Sequence, residues 1–191
     1  MPKILEDDQI FRAVIQVISE RGYAGATTKQ MAEAANVSEV TLFRKYENKA
    51  ELVKQAIASI LEETDFSTAA QYTGDAHADL LRMVQAYRDS AVRHGFFFAA
   101  LFTEISRHPE LSASLDAPVE IFHAFTKIIE RYQNEGVLQK APPSLVVASL
   151  LGPLIYIKLM GDVISTDALP TINLNAHVQA LLEGHLAHSR P

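Results

Sequence analysis

This chain of 191 residues contains no cysteine, and that absence removes several kinds of site. A disulfide framework, a thiolate zinc site and a cysteine nucleophile are all excluded, and the composition fits a reducing compartment. Glycine and proline are also few, at 8 each, while 48% of the residues are hydrophobic. A chain of this length and content can form a substantial core, either as one large domain or as two small ones.

No apolar run in the sequence is long enough to cross a bilayer. The longest, from Leu145 to Ile157, contains Pro153 and is soon followed by Lys158 and Asp162. The opening residues, MPKILEDDQIF, do not have the pattern of a signal peptide. We therefore expect a cytoplasmic protein with no membrane partner.

The signatures of common enzyme classes are missing as well. The chain contains no GxSxG, HExxH, Walker or GxGxxG pattern. Glu104 and His108 are four residues apart, so on a helix they could begin a metal site or form an exposed ion pair. We favour the ion pair, and we expect a protein that is not an enzyme and has neither a metal nor a cofactor.

Positive charge is scarce in the chain as a whole, since the net charge is −6. Residues 1–61 hold eight Lys or Arg and eight Asp or Glu, whereas residues 62–191 hold nine and fifteen. Within the N-terminal part, residues 21–49 carry five cations against three acids. This local excess suits a nucleic-acid interface, and an acidic remainder would orient the molecule by repelling DNA.

Helical periodicity of apolar residues is the main pattern along the chain, and no segment alternates as a strand would. The predicted fold class is therefore all-α. The polar stretch EETDFSTAAQYTGD predicts a boundary between one domain of residues 1–61 and another of residues 62–191. Apart from the two short helices described next, the predicted helices cover about residues 8–21, 49–61, 76–94, 96–107, 117–134, 144–164 and 175–187.

Residues 27–53, TTKQMAEAANVSEVTLFRKYENKAELV, carry the most specific pattern. Thr27 and Gln30 form a capping box that opens a short helix. Asn36 can adopt a positive φ in the tight turn that follows, and Ser38 precedes a second short helix. Two helices joined in this way hold the second one away from the protein body, where its first residues can reach base edges in a major groove. The pattern predicts a helix-turn-helix.

Over residues 8–61 the sequence resembles the TetR family of transcriptional regulators, through GYAGATT, MAEAANVS and TLFRKYENK. The resemblance implies an N-terminal three-helix DNA-binding domain with a helix-turn-helix, and a C-terminal helical domain for ligand binding and dimerisation. It further implies a repressor that a small, largely apolar or aromatic effector releases from a palindromic operator in double-stranded DNA. The alternative is an effector-free or protein-partnered DNA-binding regulator.

Nine residues fall at positions where the family contacts DNA. This chain departs from the family pattern twice, because Phe43 stands where tyrosine is common and Lys45-Tyr46 replaces the usual His-Phe pair. The residues that the resemblance assigns to the DNA interface are Thr28, Ser38, Glu39, Val40, Thr41, Phe43, Arg44, Lys45 and Lys49.

The chemistry of these side chains separates phosphate contacts from base contacts. Lys45, Lys49 and the helix start at Thr28 suit phosphates, while Thr41 and Val40 could pack against a thymine methyl group. Arg44 could pair with guanine or bind a phosphate. Glu39 could accept a hydrogen bond from cytosine, or it could be present only because an acid favours the first turn of a helix.

Aromatic residues in the C-terminal part could line an effector cavity, although core packing is the competing interpretation for each. Phe96, Phe97 and Phe98 span most of a helical turn, so they cannot all face one cavity. The predicted ligand-binding residues are Phe97, Phe98, Phe102, Phe122, Phe125, Tyr156 and Met160, with His94 and His123 as polar anchors.

The last two long helices are the predicted homodimer interface. The first of them is apolar nearly all round, so it must be covered on more than one side. Ala148, Ser149 and Gly152 would allow the close approach of a second helix. The alternative is a central core helix in a monomer, but a dimer would match the twofold symmetry of a palindromic site.

Overall fold

The computed structural model describes residues 3–94, 97, 101, 104–161 and 171–185, with the backbone alone at 3–6, 158, 159 and 161. In these ranges the chain forms helices and no β-strand, which confirms the predicted all-α class. The elements are α1 (Lys3–Gly25), α2 (Thr28–Ala34), α3 (Glu39–Lys45), α4 (Lys49–Glu63), α5 (Phe66–Ala69), α6 (Ala76–His94), the 3₁₀ helix η1 (Pro109–Leu115), α7 (Asp116–Asn134), α8 (Pro143–Gly161) and α9 (Leu174–His185).

The chain divides into two compact units, and each is made of two segments. The first unit comprises Met1–Thr64 and Ser90–Val119, and the second comprises Asp65–Asp89 and Glu120–Pro191. Within the described ranges, no helix is long and apolar enough to cross a membrane.

The first unit is built around the apolar faces of α1 and α4. Ile10, Val14 and Ile18 repeat at helical spacing on α1 and are buried. They share one core with four residues from the second segment of the unit, which lie far away in sequence. These residues are Phe97, Leu101, Leu111 and Leu115.

Helix α1 extends beyond both ends of its predicted range. It begins at Lys3 and continues to Gly25, although its regular geometry is interrupted at Gly22, where φ is 69°. Glycine adopts this backbone conformation without the steric cost that a β-carbon would bring. The position predicted as the C-terminal end of this helix is therefore a kink, after which the chain makes one more helical turn.

Two short elements were not predicted from the sequence. Helix α5 lies within the stretch interpreted as a boundary, where Asp65 caps it and Phe66 is buried. The 3₁₀ helix η1 starts with Pro109 and buries Leu111 and Leu115. Both elements are too short for a helical period to emerge from the sequence.

A buried carboxylate organises the second unit. Asp79 on α6 has no exposed surface, and it accepts hydrogen bonds from the Tyr132 hydroxyl at 2.6 Å and from the Thr73 amide at 2.8 Å. Arg82 forms an ion pair with the same side chain. Burial alone would raise the pKa of Asp79, but the hydrogen bonds from Thr73, Tyr132 and Arg82 outweigh it and lower that pKa. The network joins α6, α7 and the loop before α6.

We expect Asp79→Ala to lower the free energy of unfolding by about 3–5 kcal/mol, because it leaves Arg82 and the Tyr132 hydroxyl without their buried partner. Since the folded-state pKa of Asp79 is lowered, its stabilising contribution is complete above the ordinary aspartate pKa of about 3.9. It is lost as the pH falls through the lower folded-state pKa.

Urea unfolding followed by circular dichroism at about pH 7 and about pH 3 measures this effect. Asp89→Ala is the matched control, because it removes an exposed aspartate from the same helix. That change should alter stability by no more than about 0.5 kcal/mol. Equal stabilities of the two variants at neutral pH would contradict the role assigned to Asp79.

Candidate nucleic-acid interface

The start of α2 is closed by the predicted capping box. The Thr27 hydroxyl accepts a hydrogen bond from the Gln30 amide at 3.2 Å, and the Gln30 side chain accepts one from the Thr27 amide at 2.9 Å. These reciprocal bonds satisfy amides that the first helical turn would otherwise leave unpaired.

The turn between α2 and α3 has the predicted geometry. Asn36 adopts a φ of 55°, a left-handed conformation that asparagine tolerates better than most residues. The Val37 amide then donates to the Ala32 carbonyl at 3.0 Å, which closes the end of α2. Met31 and Ala32 are buried beneath the turn.

Helix α3 starts behind Ser38, as predicted. The Ser38 hydroxyl accepts from the Thr41 amide at 3.1 Å and lies 2.8 Å from the Thr41 hydroxyl. One side of the helix is anchored in the core by Leu42, and Tyr46, which caps its C-terminal end, is also buried. This anchoring leaves the opposite side of α3 turned to solvent.

Val40, Phe43 and Arg44 form that exposed side, which we call the reading face. They occupy positions i, i+3 and i+4, so they lie together on one face of the helix. Val40 is 76% exposed and Phe43 is 53% exposed, although side chains of these types are usually buried. The reading face thus combines two apolar side chains with one cation.

Glu39 has a partner within the helix-turn-helix. Its carboxylate accepts a hydrogen bond of 2.6 Å from the Thr28 hydroxyl, and both side chains are half-buried. This bond links the start of α2 to the start of α3. The structure therefore supplies a structural role for both residues, whether or not they also contact DNA.

Lys45 and Tyr46, which replace the usual family pair, share one partner on α1. Lys45 forms an ion pair with Asp7, and the Tyr46 hydroxyl donates to the same carboxylate oxygen at 2.8 Å. The Tyr46 ring also lies 6.0 Å from the ring of Phe11. Asp7 was not predicted as a functional residue, because its partners lie almost forty positions away in sequence.

Lys49 is the first residue of α4, behind the capping side chain of Asn48. Its ammonium group donates to the Tyr23 carbonyl and lies 3.9 Å from the centre of the Tyr23 ring. Burial lowers the pKa of Lys49, while the charges of Glu110 and Glu104 act in the opposite direction. The lysine predicted to bind phosphate therefore has an intramolecular site in the absence of DNA.

His108 lies next to this lysine site and has two acidic neighbours. Its Nε2 atom is 3.5 Å from the Glu104 carboxylate and its Nδ1 atom is 3.1 Å from that of Glu110. The ring also meets Tyr23 edge-on at 5.0 Å. Burial, followed by the charge of Glu110, raises the pKa of Tyr23 to about 12.

Glu104 and His108 pair across one helical turn, but their side chains are only 17% and 28% exposed, so the pair is partly buried and not exposed as predicted. Among the described residues, no group of three or more His, Asp or Glu side chains is arranged to hold a metal ion.

A cleft of about 440 Å³ opens beside the start of α4. It is lined by Tyr23, Asn48, Lys49, Ala50, Glu51, Lys54, Glu110, Ala113 and Ser114.

Two described members of the predicted effector site lie in the first unit, and two other members, Phe98 and Phe102, fall outside the described residues. Phe97 is fully buried in the first unit's core. His94 lies 3.7 Å from the Glu63 carboxylate, and burial lowers the pKa of His94.

The remaining predicted effector-site residues lie in the second unit. Phe125 is buried and packs against Phe66, with ring centres 6.5 Å apart. Phe122, His123 and Tyr156 are exposed, and Met160 is half-buried. The described members of the predicted site are thus divided between two compact units.

Helices α8 and α9 contact each other, and α8 also has an exposed apolar side. His177 on α9 contacts the Leu150 carbonyl on α8 at 2.9 Å, and Leu150 is buried. Leu145 and Tyr156 on α8 are 57% and 60% exposed. A β-carbon added at Gly152 would meet no atom within 4 Å, so space is open beside this residue.

Two family models match the chain. The model described as bacterial regulatory proteins of the tetR family matches residues 10–56, which include the helix-turn-helix. The model described as the tetracyclin repressor-like C-terminal domain matches residues 70–171.

The curated relatives bear the name uncharacterized HTH-type transcriptional regulator. YvkB of Bacillus subtilis strain 168 is 33% identical over 113 residues, which cover 52% of this chain and 56% of YvkB. Rv1556 of Mycobacterium tuberculosis H37Rv is 27% identical over 106 residues, which cover 56% of this chain and 51% of Rv1556. The chain thus spans about half the length of the curated relatives it matches.

Solved structures share the fold along nearly the whole chain. The TetR family transcriptional regulator PfmR from Thermus thermophilus superposes with a TM-score of 0.70 at 16% identity, covering 96% of this chain and 97% of PfmR. A transcriptional regulator from Rhodococcus sp. Rha1 gives 0.67 at 15% identity, covering 94% and 97%. At these identities the similarity shows the fold alone.

A capped helix-turn-helix with an outward-facing second helix, carried by an all-α chain, is the arrangement of a DNA-binding transcriptional regulator. The C-terminal family model alone matches residues 70–171 of 191. The chain belongs to the TetR family of transcriptional regulators.

Proposed function

We propose that this regulator is a repressor that binds a palindromic operator as a homodimer and is released by a small, largely apolar or aromatic effector. The observation that carries the DNA-binding part is the reading face, where Val40, Phe43 and Arg44 are exposed on a helix held at both ends. A second copy, related by a twofold axis, would present the same face to the other half of a palindrome. Because its target would be chromosomal DNA, we place the protein in the cytoplasm.

The solvent-exposed residues of α3 would recognise the bases. Arg44 carries the donors needed for a bidentate contact with guanine, and Val40 offers an apolar surface to a thymine methyl group. Thr41 is half-buried and lies beside the Ser38 hydroxyl, so it would contact bases only at the edge of the interface. Phe43 is exposed enough to contact DNA despite the missing tyrosine hydroxyl.

The two lysines, Lys45 and Lys49, and the hydroxyl groups at the starts of the helices would bind phosphates. Lys49 would bind phosphate either alongside its contact with Tyr23 or in exchange for it. Lys45 would have to exchange its ion pair with Asp7. Thr28 and Ser38 stand at helix N-termini, where backbone amides favour anions.

Paired substitutions should separate the two kinds of contact. We expect Lys49→Ala to weaken binding to all duplexes similarly, because phosphate contacts carry no sequence information. We expect Arg44→Ala to change the preference among operator variants by about 1–3 kcal/mol, because it removes a base contact. Competition binding, with duplexes selected from a random pool and then mutated singly, measures both effects.

Salt dependence provides the check on this assignment. About four cationic phosphate contacts per dimer would give a slope of about −3.6 in log affinity against log salt concentration. Lys54→Ala is a control, because it removes an α4 lysine that is not assigned to DNA. Binding that does not respond to salt, or equal loss of sequence preference in the Arg44 and Lys49 variants, would refute the proposal.

The proposed dimer interface is the exposed apolar side of α8 together with α9. Leu145 and Tyr156 expose large apolar surfaces, and the open space at Gly152 would admit a facing helix. An apolar helix with small residues between large ones can pack closely against a symmetric copy. The second copy would thereby cover the side of α8 that this chain leaves exposed.

We expect Ala148→Glu to raise the dimer dissociation constant at least about tenfold, because it places an unpaired charge within the interface. Ala148 is exposed in the single chain, so the substitution should not disturb the monomer fold. Lys127→Glu, at an exposed position on α7, is the control. Sedimentation equilibrium measures the association, and an unchanged dimer in the Ala148 variant would place the interface elsewhere.

The effector would act by binding better to a conformation that does not fit the operator. DNA and effector would then weaken each other's binding by the same factor. Support comes from the match to the tetracyclin repressor-like C-terminal domain and from the aromatic residues of α7. Because those side chains are aromatic, they would favour an apolar ligand.

We expect a compound found by thermal-shift screening to reduce operator affinity when it saturates the protein, as fluorescence anisotropy would show. A compound without stabilising effect serves as the control. If every stabilising compound leaves operator affinity unchanged, the effector-free or protein-partnered regulator becomes the better description.

A further inference from the structure

Asp7 connects the first helix to the last turn of the proposed recognition helix by two different contacts. Its carboxylate pairs with the charged end of Lys45 and accepts a hydrogen bond from the Tyr46 hydroxyl. The charged ends of the ion pair are partly shielded, since the Lys45 and Asp7 side chains are only 26% and 31% exposed. Nearby on α1, Gln9 donates to the Ala35 carbonyl at 3.0 Å.

Lys45 therefore already has an anionic partner before DNA is present. A lysine that points freely into solvent gains an ionic contact at any duplex, because every duplex offers phosphates. A lysine that is paired within the protein gains less, since it must give up one carboxylate for one phosphate. The exchange is favourable only where the rest of the interface places a phosphate correctly.

We propose that Asp7 is a specificity-determining residue, which restrains Lys45 from sequence-independent phosphate binding while it positions the end of α3 through Tyr46. This inference rests on the proposed DNA-binding function. It concerns how strongly the protein prefers an operator over other DNA, and it does not require Asp7 to touch DNA.

The variant Asp7→Asn separates the two contacts. An asparagine carbonyl oxygen can still accept a hydrogen bond from the Tyr46 hydroxyl, whereas the neutral amide no longer forms an ion pair with Lys45. The position of α3 should therefore persist while Lys45 becomes available to phosphates. Asp7→Glu keeps the charge and should retain the behaviour of the unaltered chain.

We expect Asp7→Asn to bind a scrambled duplex more tightly and to discriminate less between the selected operator and its scrambled copy. On the scrambled duplex, one additional phosphate contact per protomer would steepen the salt slope of a dimer by about 1.8. Between about 50 and 200 mM salt, this corresponds to a further loss of affinity of roughly 12-fold. Fluorescence anisotropy titrations over that range measure the slope.

Two controls exclude a general effect of removing an acid near DNA. Asp8→Asn removes the same charge one residue further along α1 and should leave the slope unchanged. In a Lys45→Gln background, Asp7→Asn should no longer steepen the slope, because the lysine that it would release is absent. A merely structural role of Asp7 would not produce this dependence on Lys45.

The outcomes separate this inference from the proposed function. If the unaltered chain binds no duplex even at low salt, the proposed function fails and this inference fails with it. If the unaltered chain binds DNA but the Asp7 and Asp8 variants behave alike, only the inference is overturned. A double-mutant cycle in urea unfolding without DNA should also show coupling between Asp7 and Lys45, and its absence would overturn the inference.

Discussion

The orientation of α3 is the constraint on which the rest of the structure depends. A helix of seven residues is too short to be stable alone, so tertiary contacts must hold it. Ser38 caps its start, Leu42 anchors its middle, and Tyr46 joins its end to α1. Because all of these contacts lie at the ends or on the buried side, the opposite side stays accessible. The same contacts that stabilise the helix therefore expose its reading face.

Both lysines assigned to phosphates already have partners in the protein, which changes the physical nature of DNA binding. Lys45 is paired with a carboxylate, and Lys49 is bound by a carbonyl and an aromatic ring. At Lys45, DNA binding would then replace an existing contact and would not simply add a new one. Such an exchange depends on accurate placement of the phosphate, so it favours discrimination over raw affinity.

Local sequence signals predicted the helix-turn-helix closely, because capping boxes, positive-φ asparagine and helix N-caps depend on neighbouring residues. Thr27, Asn36 and Ser38 all behave as their chemistry indicates. Contacts between distant residues were not predictable in this way. Nothing in the order of residues shows that Asp7 meets Lys45 or that Tyr23 receives Lys49, since these pairs form only when the helices pack. Short elements such as α5 and η1 were missed because they are too short to establish a helical period.

The core of the first unit has a consequence for the modularity of this regulator. Phe97, Leu101, Leu111 and Leu115 pack among the buried residues of α1 to α4, so α1 to α4 do not complete their own hydrophobic core. A fragment that ended after α4 would expose apolar surface that this later segment covers. Any chimera that transplants the helix-turn-helix onto a different sensor would have to carry the later segment with it, or rebuild that surface with polar residues.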